Sequence, residues 1–551
     1  MKLKMRVVSA MEKIYKSDHK PGFKKLSKIS GLRGENLSFQ IDYYLDGDRF
    51  FWGACNVESE IKDYVKVRKV ELVPVVRPKS ADSDEFYLES EPCILPDLLR
   101  VPENGQIPVI PGYHRSLWID VEIPENAKAG EYEIFFSISG FFKEEKLSAK
   151  ASVTVEIIDA VIPKLPVCHT EWFYADCLAD YYGVEPMSDR FFEICENFIK
   201  TAVKRNINTI LMPVFTPALD TEVGLERTTV QLVDVTVLKD GGYAFGFDNL
   251  RRFVKICKDA GVAKYEVSHL FTQWGCKCAP KIVGKKNGKL QKLFGWENGS
   301  SSPEYTGFLK SFLPKLKEEL ISLGIYADTF FHISDEPRKA HREDYKKANA
   351  TVRSLLPDAI FLDALSDVEF YKEGLIDIPA CGANKLKPFF EAKVENLWTY
   401  YCCTQVKASP NRFIAMPSSR NRVLGFLIYK YGIKGFLHWG YNFYNCMLSL
   451  HHINPYETVD AEGGFPAGDP FLVYPGKDGR PEESIRLMIL SKGFDDIRAL
   501  SLLESLSSRE ETAILLGNRL HFDRYPMNSD FYDKLRESVN EKIKTLINKE
   551  K

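Results

Sequence analysis

Two adjacent carboxylates, Asp335 and Glu336, close the apolar run Thr329-Phe330-Phe331-His332-Ile333-Ser334 and are followed at once by Pro337 and Arg338. On a strand, Phe330, His332, Ser334 and Glu336 share one face and Phe331, Ile333 and Asp335 the other. The two acids therefore point apart unless the strand ends or bulges beside them. Pro337 lacks the N–H that a ladder needs, which predicts an ending there. An acid pair where a buried strand meets a loop suits glycoside hydrolysis, in which one carboxyl donates a proton and the other stabilises developing positive charge. The plainer reading of Asp-Glu-Pro is a first helical turn, where acids and proline are favoured.

Four aromatic stretches weigh against that plainer reading. They are Glu171-Trp172-Phe173-Tyr174-Ala175-Asp176, His269 through Trp274, Trp398-Thr399-Tyr400-Tyr401 and His438-Trp439-Gly440-Tyr441-Asn442, and they hold four of the seven tryptophans. Any one Trp could pack beneath a loop. Four at strand ends opposite an acid pair favour a pocket whose walls stack on sugar faces. The candidate lining is Trp172, Tyr174, His269, Trp274, Trp398, Tyr400, Trp439, Tyr441 and Asn442, while His332 reads as a satisfied lumen residue. There is no His-Glu-x-x-His, and His451-His452 lacks a third partner, so no metal or other cofactor is expected.

The elements that must position these residues follow from periodicity. Residues 1–160 alternate as β-structure, clearest at Leu117–Ile123, Tyr132–Ile138 and Val153–Ile157, which predicts a β-sandwich. The turn from Pro124 to Gly130 suits a connection between antiparallel strands. After a Pro-containing linker, residues 167–480 alternate strands with amphipathic helices. The candidate strands are Glu171–Ala175, Asn208–Val214, Tyr265–Phe271, Thr329–Ser334, Ile360–Ala364, a weaker Ile376–Cys381, Leu397–Cys402 and Gly435–Trp439. Helices are expected after Asp248, ending at Gly261, and after Ser302-Pro303, ending at Gly324. Eight such units predict a (β/α)8 barrel whose strand C-termini carry the site. A doubly wound sheet is the alternative, but no glycine-rich phosphate loop supports it. Residues 481–551 read as a helical segment packed on the barrel, with a solvated, charged tail from Arg536.

Composition narrows the class. Across 551 residues, 44% are hydrophobic and 27% charged, and 74 Lys plus Arg balance 76 Asp plus Glu, so no nucleic-acid partner is expected. The basic stretch from Met1 to Lys16 has no apolar core of signal-peptide length, and no segment approaches a membrane span. Twelve cysteines without a Cys-x-x-Cys framework suggest reduced thiols and a cytoplasmic location.

Three motifs in order carry a family resemblance: His332-Ile333-Ser334-Asp335-Glu336-Pro337, Phe436-Leu437-His438-Trp439-Gly440-Tyr441-Asn442, and Gly468-Asp469-Pro470 through Tyr474-Pro475-Gly476. Together they resemble glycoside hydrolase family 123, the β-N-acetylgalactosaminidases. The resemblance implies a β-sandwich before a (β/α)8 barrel and an adjacent acid pair at the end of the fourth strand. It also implies exo-acting, retaining, substrate-assisted hydrolysis of terminal β-N-acetylgalactosamine on glycans or glycosphingolipid headgroups. In that scheme the 2-acetamido oxygen attacks the anomeric carbon and gives an oxazolinium intermediate. Asp335 would orient the acetamido N–H, and Glu336 would protonate the leaving oxygen and later deprotonate water. Two other readings stay open: a retaining glycosidase with Asp335 or Glu171 as covalent nucleophile, and a non-catalytic glycan-binding protein.

Overall fold

The computed structural model describes residues 1–15 and 22–550; Lys16 and Lys551, the ends of the basic stretch and the charged tail, lie outside the described residues. The N-terminal region is a sandwich of two five-stranded sheets. One sheet orders Lys2–Ser9, Asn36–Asp46, His114–Glu122, Val65–Val75 and Cys93–Arg100. The other orders Lys28–Arg33, Glu145–Val161, Gly130–Phe142, Phe51–Glu58 and Gln106–Val109. Inward positions such as Phe39, Ile41, Ile119, Ile134, Phe136 and Val155 form its core, the alternation expected of strands buried on one face. The Pro124–Gly130 turn does not close a hairpin. His114–Glu122 pairs within the first sheet and Gly130–Phe142 within the second, so the turn carries the chain across the core.

The second region is a closed barrel of parallel strands: Cys168–Glu171, Thr209–Met212, Lys264–Val267, Thr329–Phe331, Ile360–Ala364, Ile378–Gly382, Trp398–Tyr400 and Gly435–His438. The first strand begins earlier than its aromatic run suggested. Cys168 pairs with Gly435 and Glu171 with His438, and Trp172–Tyr174 rise above the ladder into the helix Ala175–Tyr182. The helix Asp248–Ala260 stops at Gly261, whose φ of 91° suits only glycine comfortably. The helix Pro303–Ser322 starts where Ser302 accepts the Tyr305 N–H. Part of the barrel interior is polar: Thr170 donates to Glu266 (3.1 Å), and His332 is buried there, whereas His169, on the opposite face of its strand from Thr170, is buried against the outer helices.

The barrel's outer layer draws its last helix, Ile485–Leu506, from the C-terminal segment. It packs on the helix Ser418–Tyr431, where a Cβ on Gly425 would lie 1.8 Å from the Gly493 carbonyl oxygen. Only glycine permits that approach. Phe494 of the same helix stacks on His169 at 3.9 Å. The tail from Arg536 is not solvated as expected: within the helix Ser529–Glu550, Arg536 is buried and pairs with Glu35 (2.6 Å) and Asp496 (3.2 Å). Sandwich and barrel are joined by buried charge pairs, Asp97 with Arg486 (2.9 Å) and Glu483 with both Arg68 and Arg205.

Candidate active site

The fourth barrel strand ends at Phe331, four residues before the acid pair. Neighbouring loops continue to hold the chain: Leu270 and Phe271 donate to the His332 and Ile333 carbonyls (both 3.1 Å), Trp274 N–H to Asp335 O (3.1 Å), and Glu336 N–H to Ala364 O (3.0 Å). Glu336 sits at φ 43°, a left-handed conformation that is uncommon for a residue with a Cβ and is met where a site requires it. That twist breaks the strand alternation, and both carboxylates line one pocket at the barrel mouth.

Seven of the residues named from sequence come together there: Asp335, Glu336, Trp172, Tyr174, Trp274, Tyr400 and Trp439. Tyr400 donates its hydroxyl to Glu336 Oε1 at 2.7 Å. Its phenol is pushed well above the ordinary tyrosine range by burial and then by the Glu336 charge, so it stays a donor. Trp439 is wedged between Phe443 and Phe465, and its indole N–H reaches Asp469 at 3.0 Å. Trp172 Nε1 and Tyr174 Oη are buried with no hydrogen-bond partner among the described residues.

Four others do not line the pocket. Trp398 opens its strand instead of closing it, so it lies one strand-side repeat, about 6–7 Å, below Tyr400. There it meets Phe330 edge-on at 5.4 Å and fills the space above Gly435. Tyr441 points outward and donates to the Phe198 carbonyl (3.0 Å). Asn442 serves the pocket indirectly, clasping the Tyr174 backbone by accepting its N–H and donating to its C=O (both 2.9 Å). His269 is buried in the lumen, stacked on His332 at 4.4 Å, and burial beside that imidazole drives its basicity well below the usual value. Glu171, the alternative nucleophile, also lies off the pocket and is tied to Arg412 (2.7 Å) and His169 (3.2 Å).

The structure adds lining residues with weak sequence signals: Asp220, Gln273, Tyr401, Cys402, Cys403 and Phe465. Gln273 stands in one of the aromatic stretches, but Asp220 and Phe465 come from long loops without periodicity. Gln273 Oε1 accepts the Asp220 N–H (2.5 Å), and its Nε2 has no partner among the described residues. Burial pushes the Asp220 carboxyl up to about 6, against the Leu448 N–H it accepts at 2.9 Å.

Beneath the pair, Asp363 organises the turn. It accepts from the N–H groups of Ile333 (3.1 Å) and Ser334 (3.3 Å), from the Tyr345 hydroxyl (2.6 Å), and lies 3.2 Å from His332 Nδ1. Burial alone would lower the basicity of His332, but Asp363 and Glu266 outweigh it and hold the imidazole up at about 9, a cation at neutral pH. His269, His332 and Asp363 bring possible metal-ligand atoms within 4.8 Å of one another. Asp363 is already spent on these donors, however, and a protonated His332 offers no lone pair, so the trio fits a hydrogen-bonded support better than a metal. Burial first, then the charges of Glu336 and Asp363, push the Asp335 carboxyl well above the usual carboxylate range, with the His332 cation opposing.

The comparisons agree with this geometry. The catalytic-domain model of glycoside hydrolase 123 matches residues 172–503. A family 123 glycoside hydrolase from Clostridium perfringens, solved to detail glycolipid glycan hydrolysis, superimposes with a TM-score of 0.73 at 15% identity, covering 100% of this chain and 98% of that one. A β-glucuronidase from Parabacteroides merdae gives a TM-score of only 0.32 at 9% identity, covering 84% of this chain and 50% of that one. No curated protein sequence matches the chain. With a family model spanning most of the chain and an acid pair turned into the barrel mouth, this protein belongs to glycoside hydrolase family 123.

Proposed function

We propose that the chain is an exo-acting, retaining β-N-acetylgalactosaminidase that uses the substrate's acetamido group as nucleophile. The observation that supports this most is the turning of Asp335 and Glu336 into one pocket that also holds the unpaired donors Trp172 Nε1, Tyr174 Oη and Gln273 Nε2. Buried donors without partners call for a ligand rich in acceptors, which the hydroxyls and acetamido carbonyl of an N-acetyl sugar provide. Asp335 takes the acetamido N–H, and that bond favours its ionised form at the moment positive charge develops. Glu336, oriented by Tyr400, protonates the leaving oxygen and then activates water. Trp439 and Trp172 give the sugar its apolar walls. The choice of galacto over gluco configuration, the exo mode and the glycolipid headgroup rest on the family resemblance. A cytoplasmic location belongs to the same proposal, supported by twelve cysteines that stand outside any disulfide.

Asp220 favours one second reading. It puts a third carboxylate in the pocket, so an ordinary covalent nucleophile would be Asp220 or Asp335, not Glu171. Chromogenic β-GalNAc, β-GlcNAc and β-galactoside substrates separate the readings. The substrate-assisted reading expects both a strong preference for N-acetyl sugars and inhibition by a thiazoline mimic of the intermediate. With azide, Glu336→Ala should yield the β-glycosyl azide. An α-glycosyl azide from Asp335→Ala or Asp220→Ala would make that residue the covalent nucleophile and overturn the proposal.

A further inference from the structure

The mouth of the pocket carries an apolar rim that the chemistry at Asp335 and Glu336 does not use. Val223 is 75% exposed, Leu450 53%, Met447 45% and Trp274 41%. Single exposed apolar side chains are ordinary on a protein surface, but several beside one ligand pocket mark a contact site. These four come from the loops after the second, third and eighth barrel strands, and the loops are tied to one another. Glu222 N–H donates to the Leu448 carbonyl (3.0 Å), Leu448 N–H to Asp220 Oδ2 (2.9 Å) and Ser449 Oγ to the Asp220 carbonyl (2.6 Å). Asp220 N–H in turn reaches Gln273, next to Trp274. Met447 packs on Gly464, where an added Cβ would lie 2.5 Å from the Met447 Cβ, and Gly464 precedes the pocket residue Phe465.

The backbone that holds this rim is strained. Asp220, Trp274, Leu448 and Ser449 all take left-handed conformations, with φ of 42°, 58°, 62° and 54°, which residues with a Cβ adopt only where their surroundings impose it. Trp274 belongs to both pocket and rim. It lines the cavity, and its N–H is bonded to the Asp335 carbonyl (3.1 Å), so the rim is keyed to the acid pair. The charged neighbours of the rim are matched: Glu226 pairs with Lys281 (3.0 Å) and Lys292 (2.8 Å), and His451 with Glu462 (2.8 Å).

We propose that this rim is an aglycone site for an apolar group, alkyl or aryl, joined to the sugar that the pocket holds. Val223, Met447 and Leu450 offer the hydroxyls of a second sugar no hydrogen-bond partner, and a hydroxyl buried against them loses its water without compensation. An apolar aglycone instead removes its own surface and theirs from water together. The site rests on the sugar-pocket reading and adds to it the class of substrate, a glycoside whose aglycone is apolar.

The test is titration calorimetry of the full chain with the methyl and octyl C-glycosides of β-GalNAc, whose carbon linkage is not hydrolysed, below the micellar concentration of the octyl compound. Each methylene removed from water strengthens binding about fourfold. With two or three methylenes on the rim, the octyl glycoside should bind about 15- to 60-fold more tightly than the methyl glycoside. The double variant Val223→Ser, Leu450→Ser changes two exposed side chains and should cut that ratio by about fivefold or more. Phe141→Ser, at a site 65% exposed on the sandwich, should leave the ratio intact. Equal affinity for the two glycosides in a chain that hydrolyses 4-nitrophenyl β-GalNAc would overturn the aglycone site and leave the sugar pocket standing. An unchanged ratio in the double variant would overturn it as well. A wild-type dimer in light scattering that the double variant breaks would assign the rim to a second copy of the chain, and the aglycone site would fall. Binding of neither glycoside would remove the sugar pocket and the aglycone site with it.

Discussion

Asp220→Asn tests the electrostatics of the pocket and its chemistry together. The substitution keeps shape and keeps an oxygen to accept the Leu448 N–H, now at 2.9 Å. It also keeps a residue that tolerates the left-handed φ of 42° at this position. What it removes is a carboxyl whose folded-state pKa has risen from 3.8 to about 6. A carboxyl raised on folding binds its proton more tightly in the native state, so it costs nothing below about pH 4, where both states are protonated. The cost grows as pH climbs from 3.8 towards 6 and is complete above that. At about 1.4 kcal/mol per pKa unit, the full penalty is about 3 kcal/mol, which partial exposure of the side chain reduces to about 1–3. Asp220→Asn should therefore stabilise the protein by about that much at pH 7 and by less than about 1 kcal/mol at pH 4. Urea unfolding at the two pH values reads the difference. A destabilised variant, or a difference independent of pH, would refute the reasoning. The same variant separates the two mechanisms. If Asp220 only binds a hydroxyl, the loss is one hydrogen bond to a charged group, about 1.5–3 kcal/mol, or about 10- to 150-fold in kcat/KM. Near-abolition of turnover, even with a good leaving group, would favour Asp220 as the nucleophile.

Tyr400→Phe removes the donor 2.7 Å from Glu336 and should lower kcat/KM by about 10- to 150-fold, most for substrates with poor leaving groups, in steady-state assays across a leaving-group series. Trp398→Ala should destabilise by about 3–5 kcal/mol in denaturant unfolding through the cavity it leaves, whereas Trp439→Ala should raise KM or the inhibition constant of a sugar analogue with little loss of stability. Glu483 is held far below the usual carboxylate range: burial opposes ionisation, but Arg205 and Arg68 prevail. A depressed folded-state pKa gives stability that is present above about pH 4.5 and lost as pH falls below it. Glu483→Gln should therefore cost about 3–5 kcal/mol at pH 7, a deficit that narrows in acid, as unfolding at pH 7 and pH 3.5 would show.

Much of the architecture was legible in the residues themselves. Alternation marked the sandwich strands and Ser302-Pro303 marked a helix start, because the hydrophobic period and cap chemistry are local properties. The apolar run ending in Asp335-Glu336-Pro337 located the acid pair for the same reason. Tertiary structure decided where side chains point at the ends of elements. Trp398 and Tyr400 share a strand and a face, yet one packs against Phe330 and the other reaches Glu336, since two residues of rise separate barrel floor from barrel mouth. Trp172 and Tyr174 read as strand but stand above the ladder, because pairing with Gly435–His438 sets the register at Cys168. Nothing local told Asp220 that it would meet Gln273, or Asp363 that it would hold the turn under Asp335. Those contacts join residues distant in sequence, brought together only when the parallel strands close into a barrel. The left-handed twist at Glu336 is the clearest case. Sequence supplies two acids that must diverge, and the loops bonded to Asp335 and Glu336 from either side make them converge.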